Sequence, residues 1–170
     1  MTLTVRRYEE RDHAAARALF IRVNRALAPA QMREAFEGYI ARSLVEEIDV
    51  IPEYYAARQG GFWIATEDEA VVGMFGLERA GEGAAELRRM YVAPEARRRG
   101  IARALLARAE TECRAAGFRR LVLSTSEIQD AAIALYRAAG FRLVREEIAI
   151  TENNKTVGGG LRRFHFEKDI

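Results

Sequence analysis

The chain has 170 residues, 49% of them hydrophobic and 31% charged, with a formal net charge of +2. That length suits a single domain, residues 1–170, with a proper core; the mild charge does not announce a nucleic-acid binder. One cysteine, Cys113, excludes an internal disulfide and a cysteine-based metal cluster, and His13 and His165 carry no ligand spacing, so no metal is expected.

The opening MTLTVRRYEERDH puts charges where a signal peptide is apolar. No apolar run approaches the roughly 20 residues a membrane span needs, so a cytoplasmic protein without a membrane partner is expected. Of the 27 basic residues all but Lys155 and Lys168 are arginine. A single arginine therefore says little, and its position must supply the meaning.

In chain order, LTVRR alternates as a short strand should. Asp12 is placed to cap a helix running to Pro29. A second helix spans Met32 to about Glu47, with Phe36, Ile40, Leu44 and Ile48 at i+4 spacing, and Pro52 is expected to end that region. GFWIAT and AVVGMFGL, separated by EDE, read as a hairpin. AELRRMYV is a third strand, stopped by Pro94. A helix from about Arg98 to Ala116 ends on Gly117. RRLVLSTS is a strand, Asp130 to Ala139 a short helix ending on Gly140, and FRLVREEIAI and GGLRRFHFEKD a closing pair of strands. The order predicts an α/β (α+β) mixed sheet packed between helices.

The chemistry concentrates in RRMYVAPEARRRGIARALL. A strand ends at Val92, a proline turn follows, and a helix begins whose first turn carries Gly100 and Ala102. The first N–H groups of a helix lack internal partners and bind anions, and small residues let a phosphate approach. Flanking arginines add charge-assisted hydrogen bonds, so the device fits a pyrophosphate. It is neither G-x-x-x-x-G-K-[ST] nor G-x-G-x-x-G.

It does match R-x-x-G-x-A, Arg97 through Ala102, after a V-x-P step. With AELRRMYV and AAIALYRAAGF this resembles the GNAT superfamily of acetyl-CoA-dependent N-acetyltransferases over about Phe62 to Val144. PEYYAARQGGFWIATEDEAVVG and LSTSEIQDAAIALYR resemble its camello-like branch. The resemblance implies a mostly antiparallel sheet of about seven strands with helices on both faces, and a bulged fourth strand. Backbone groups of Met90, Tyr91 and Val92 would then face the pantetheine arm of acetyl-CoA. Amides of Arg98, Arg99, Gly100, Ile101, Ala102 and Arg103 would hold the pyrophosphate, with Arg97 opening the motif. Tyr136 matches the general acid, with Ala132 on the same helix lining the coenzyme. Gln129 stands where the family often has asparagine. Glu86, on the fourth strand, is the leading base, with an ordered water as its rival; where other members carry a fifth-strand carboxylate this chain has Ser124 and only the neighbouring Glu127.

The expected function is direct acetyl transfer in a ternary complex to a primary amine of a small molecule, amino acid or peptide/protein. Cys113, on the stripe Ile101, Leu105, Ala109, Cys113, Ala116, is read as core and not as a nucleophile. A non-catalytic acyl-CoA-binding regulatory domain is the alternative. A nucleic-acid module is disfavoured by the near-neutral charge and the lack of interleaved aromatics. A homodimer is left open. Trp63, His13 and His165 are read as structural, and the acidic run Glu34 to Glu53 as a solvated face that could also favour a cationic acceptor.

Overall fold

The computed structural model describes residues 2–170. Its main elements are β1 (Leu3–Arg7), α1 (His13–Leu27), α2 (Arg33–Glu46), α3 (Ile51–Ala56), β2 (Gly61–Glu67), β3 (Ala70–Arg79) and β4 (Ala84–Val92), then α4 (Ile101–Ala115), β5 (Arg120–Ser126), α5 (Asp130–Ala138), β6 (Arg142–Ala149) and β7 (Leu161–Asp169). The seven strands form one sheet in the order β1-β2-β3-β4-β5-β7-β6. Every neighbouring pair is antiparallel except β4 with β5.

Two glycines of β3 fix how helices cover the sheet. Three residues apart on a pleated strand, they face opposite sides. A Cβ at Gly73 would sit 3.0 Å from Leu105 of α4, and one at Gly76 would sit 2.5 Å from the Tyr55 hydroxyl of α3. Helices therefore press on both faces. Gly76→Ala is expected to lower stability by about 1–3 kcal/mol through overpacking against Tyr55, read as a drop in Tm.

The apolar spacing of α2 works as its pattern predicts: Phe36, Ile40, Leu44 and Ile48 are all buried. Along α4 the buried stripe is Ile101, Leu105, Ala109 and Cys113, and it stops there, since Ala116 lies past the end of the helix and is exposed. Burial pushes the Cys113 thiol up to about 12, so it carries no thiolate at neutral pH. Trp63 is a core residue stacked on Phe75 with ring centroids 5.0 Å apart.

Three local details differ from the sequence pattern. Pro52 opens α3 instead of ending the helical region, because its fixed φ and missing N–H suit a first helical turn. Asp12 does not cap α1: its carboxylate accepts two 2.8 Å bonds from Arg6 and the Glu9 amide at 2.7 Å, closing a short turn ahead of the helix. The Arg6 hydrogen bond is the main reason its carboxyl is held below the usual range. Finally, α4 begins at Ile101 and not at Arg98, since Arg98 (φ 63°) and Gly100 (φ 79°) are left-handed and cannot be helical turns.

Candidate active site

The site begins where the sheet comes apart. β4 and β5 pair at only three positions, Ala84 with Arg120, Ala85 with Leu121 and Glu86 with Val122. Beyond Glu86, β4 stays with β3 as far as Val92, while β5 stays with β7 as far as Ser126. A wedge opens between them, leaving strand backbone without a partner.

A bulge on β4 sets the direction of the wedge. The β3–β4 register shifts between Met74 and Gly76, and Arg89 adopts φ 54°. In a regular strand Arg88 and Arg89 would point to opposite faces; the left-handed residue brings both guanidiniums to the same side. There they meet Glu47, just past α2 and 0% exposed. Its carboxylate takes Arg89 Nε at 3.0 Å and Nη2 at 2.9 Å, Arg88 Nη1 at 2.9 Å and the Tyr55 hydroxyl at 2.6 Å. Asn154, from the β6–β7 loop, adds a bond of 3.2 Å. Burial alone would raise the pKa of Glu47, but the charge and hydrogen bonds of Arg89, with Arg88 behind, hold it at about 2. The acidic run is therefore not simply a solvated face: Glu47 is the buried anchor of the bulge, while Glu37 and Asp49 pair at the surface with Arg25 and with His13 and Arg17.

Past the bulge the chain reaches the anion-binding turn. The first bond of α4 runs from the Ala104 amide to the Gly100 carbonyl at 3.1 Å. The amides of Ile101, Ala102 and Arg103 precede it and have no helical acceptor. A Cβ built on Gly100 meets nothing within 4 Å, so the space over the turn is open. This turn is one end of a cavity of about 820 Å³, whose other walls are Met90–Val92 on β4 and Gln129, Ala132 and Tyr136 at α5. Arg97, Arg98, Gly100, Ile101, Ala102 and Arg103 all line it. Arg99 does not; its guanidinium turns away to Glu67 at 2.6 Å. Free amides, three flanking guanidiniums and a cavity of ligand size fit the diphosphate and pantetheine of a coenzyme A thioester.

A second, polar cavity of about 110 Å³ adjoins the first. Met90, Tyr91, Gln129 and Tyr136 line both, so the wedge joins them. Tyr136 is buried against Phe141, and burial, with Tyr91 nearby, pushes its hydroxyl well above the ordinary tyrosine value. The hydroxyl therefore keeps its proton at neutral pH. The Gln129 carbonyl oxygen accepts from Thr125 Oγ1 at 2.8 Å and the Ser126 amide at 3.2 Å, which leaves its NH2 for the shared wall. Glu86 reaches the polar cavity already paired, 2.7 Å from Lys155 Nζ, which is also 2.7 Å from Glu78. Burial would lower the Lys155 pKa, yet the two carboxylates raise it.

Sequence reasoning assigned no role to Glu47, Arg88, Arg89, Lys155 or Arg163 in this region. Lys155 carried a signal, as one of only two lysines in a chain that otherwise uses arginine. Glu47 carried none.

A splayed mixed sheet, a bulged strand and an anion-binding turn at its tip define the class. Residues 27–141 match the acetyltransferase (GNAT) family, and the chain belongs to that family. Among its relatives, human N-acetyltransferase 8 is 34% identical over 116 residues, covering 65% of this chain and 51% of that protein. The Xenopus laevis protein named "Probable N-acetyltransferase camello" is 36% identical over 110 residues, covering 63% of this chain and 50% of that protein. The chain thus spans about half the length of these curated relatives. PaiA N-acetyltransferase from Thermoplasma acidophilum, solved with coenzyme A, superposes with a TM-score of 0.77 over 100% of both chains at 20% identity, a likeness of fold.

Proposed function

We propose that this chain is an acetyl-CoA-dependent N-acetyltransferase that passes the acetyl group directly to a primary amine. The observation that carries the reading is the continuous wall, through Met90, Tyr91 and Tyr136, between an anion-binding cavity and a polar one. The curated relatives are named as N-acetyltransferases, which supports it. Acetyl-CoA held in the large cavity would supply a thioester, whose acyl carbon bonds the amine nitrogen as its bond to sulfur breaks.

The residues of the chain do the rest. Amides at the start of α4, with Arg97, Arg98 and Arg103, take the phosphate charge. Met90–Val92 present unpaired strand backbone to the pantetheine arm. Tyr136 gives its proton to the departing sulfur and is restored, directly or through water, by the proton the nitrogen still carries after attack. An amine with a pKa near 10 arrives protonated and must lose a proton before attack. Glu86, on the wall of the polar cavity, accepts that proton directly or through water, with Lys155 holding the carboxylate in place. No covalent enzyme intermediate is required, and buried Cys113 offers none.

Thiol release from acetyl-CoA, followed across a panel of amines, should depend on the amine. Tight coenzyme binding with silence across the panel would refute catalysis. Tyr136→Phe should lower kcat by about 100-fold or more, the scale of lost general acid catalysis, with the Kd for coenzyme A within a few-fold. Unchanged turnover would remove Tyr136 from the mechanism.

A further inference from the structure

The polar cavity holds more positive charge than the protein neutralises. Four cations line it: Arg88, Arg89, Lys155 and Arg163. Three carboxylates answer them: Glu47 pairs with Arg88 and Arg89, while Glu78 and Glu86 pair with Lys155. Arg163 is left over. Among the described residues its guanidinium has no carboxylate within 4.0 Å, and its one side-chain hydrogen bond runs from Nη2 to Ser124 Oγ at 2.8 Å. The nearest acid across the strand pair, Glu147, is engaged by His165 at 2.7 Å. Burial lowers the Arg163 pKa, as expected of a desolvated cation with too little compensation.

Arg163 is part-buried, and a guanidinium there with no carboxylate partner is a ready site for an anion. Ser124 sharpens the point. Its oxygen accepts from Arg163, so its own O–H is free to donate to the same anion. Arg163 lies on β7 opposite Ser126 of β5, on the strand pair that forms one side of the wedge. The unpaired charge and Tyr136 therefore share one small cavity.

We infer that the acceptor carries, beside its amine, a carboxylate that Arg163 and Ser124 bind, which makes it an amino-acid-like small molecule and not a polyamine. This rests on the acetyl-transfer reading and narrows it. The surplus cation repels a second ammonium group, and a bidentate guanidinium fits a carboxylate.

The test compares amines matched except for the carboxylate, such as phenylalanine with phenethylamine and alanine with ethylamine. Wild-type protein should favour the amino acid in at least one pair by about tenfold or more in kcat/KM, the worth of one charged hydrogen-bonded contact. Arg163→Gln should reduce kcat/KM for that amino acid at least tenfold more than for its matched amine, mainly through KM. Arg163→Lys, which keeps the charge without the fork, should fall between. Equal use of both members of every pair by the wild type would overturn the carboxylate site while leaving acetyl transfer standing. Absence of thiol release with every amine would overturn acetyl transfer itself. Titration of N-acetylphenylalanine and N-acetylalanine into the coenzyme A-loaded wild type then decides the carboxylate site without turnover. Saturable binding that Arg163→Gln weakens supports it, and no binding overturns it.

Discussion

Glu47→Gln is expected to destabilise the chain by about 3–5 kcal/mol, the cost of removing one partner from a buried ion cluster. The shape of the side chain is kept, so no cavity is made. What is lost is the charge that two buried guanidiniums share. Urea unfolding at pH 7 measures it, and a loss below about 1 kcal/mol would show that water or a neighbour replaces the carboxylate. The same group predicts a pH dependence of definite sign. Its native pKa of about 2 lies below the ordinary 4.5, so its contribution is complete above about pH 4.5. It fades as pH falls towards 2, by about 3 kcal/mol in total. The stability difference between wild type and Glu47→Gln should therefore shrink across that window, and a difference constant with pH would assign the effect to packing.

Gly100→Glu is the second large effect, and it acts on binding. The Cβ itself has room, but the carboxylate would enter the space over the free amides of α4 and repel a diphosphate. Coenzyme A binding by calorimetry should weaken by about 100-fold or more, equivalent to about 3 kcal/mol. The left-handed φ of 79° adds about 1–2 kcal/mol of backbone strain for any side chain, so Gly100→Ala is the control. Alanine should lower the Tm about as much as glutamate does, yet keep most of the affinity. If alanine and glutamate weakened binding equally, backbone geometry and not charge would control the turn.

These two residues mark the limits of what the sequence made legible. Gly100 was readable because its partners are local: a strand ending, a proline, a glycine and a helix lie within a dozen residues, and the physics of helix ends applies to the string itself. The alternating and i+4 patterns placed the strands and main helices for the same reason. Glu47 was not readable. Its partners Arg88 and Arg89 lie about forty residues ahead and Asn154 more than a hundred; only the fold brings them together. The left-handed turn at Arg98 was missed because the run RRRG has the composition of a helix start, and nothing in it announces where the first turn closes. Lys155 and Arg163 come from the closing hairpin and its loop, whose approach to β4 and β5 depends on β7 inserting between β5 and β6.

The three-position seam between β4 and β5 also bears on how the site withstands mutation. Its floor is made of hydrogen bonds that the sheet declines to form, and an absent bond has no side chain to lose. Substitutions around the wedge can retune charge and shape while the unpaired backbone persists. Only changes that straighten the bulge or extend the ladder past Glu86 would close it. Architecture of this kind does not depend on any one side chain, and a chain at 20% identity still superposes in fold along its full length. Changes to such a scaffold fall on the side chains of its walls, while the backbone opening belongs to the strand pairing itself.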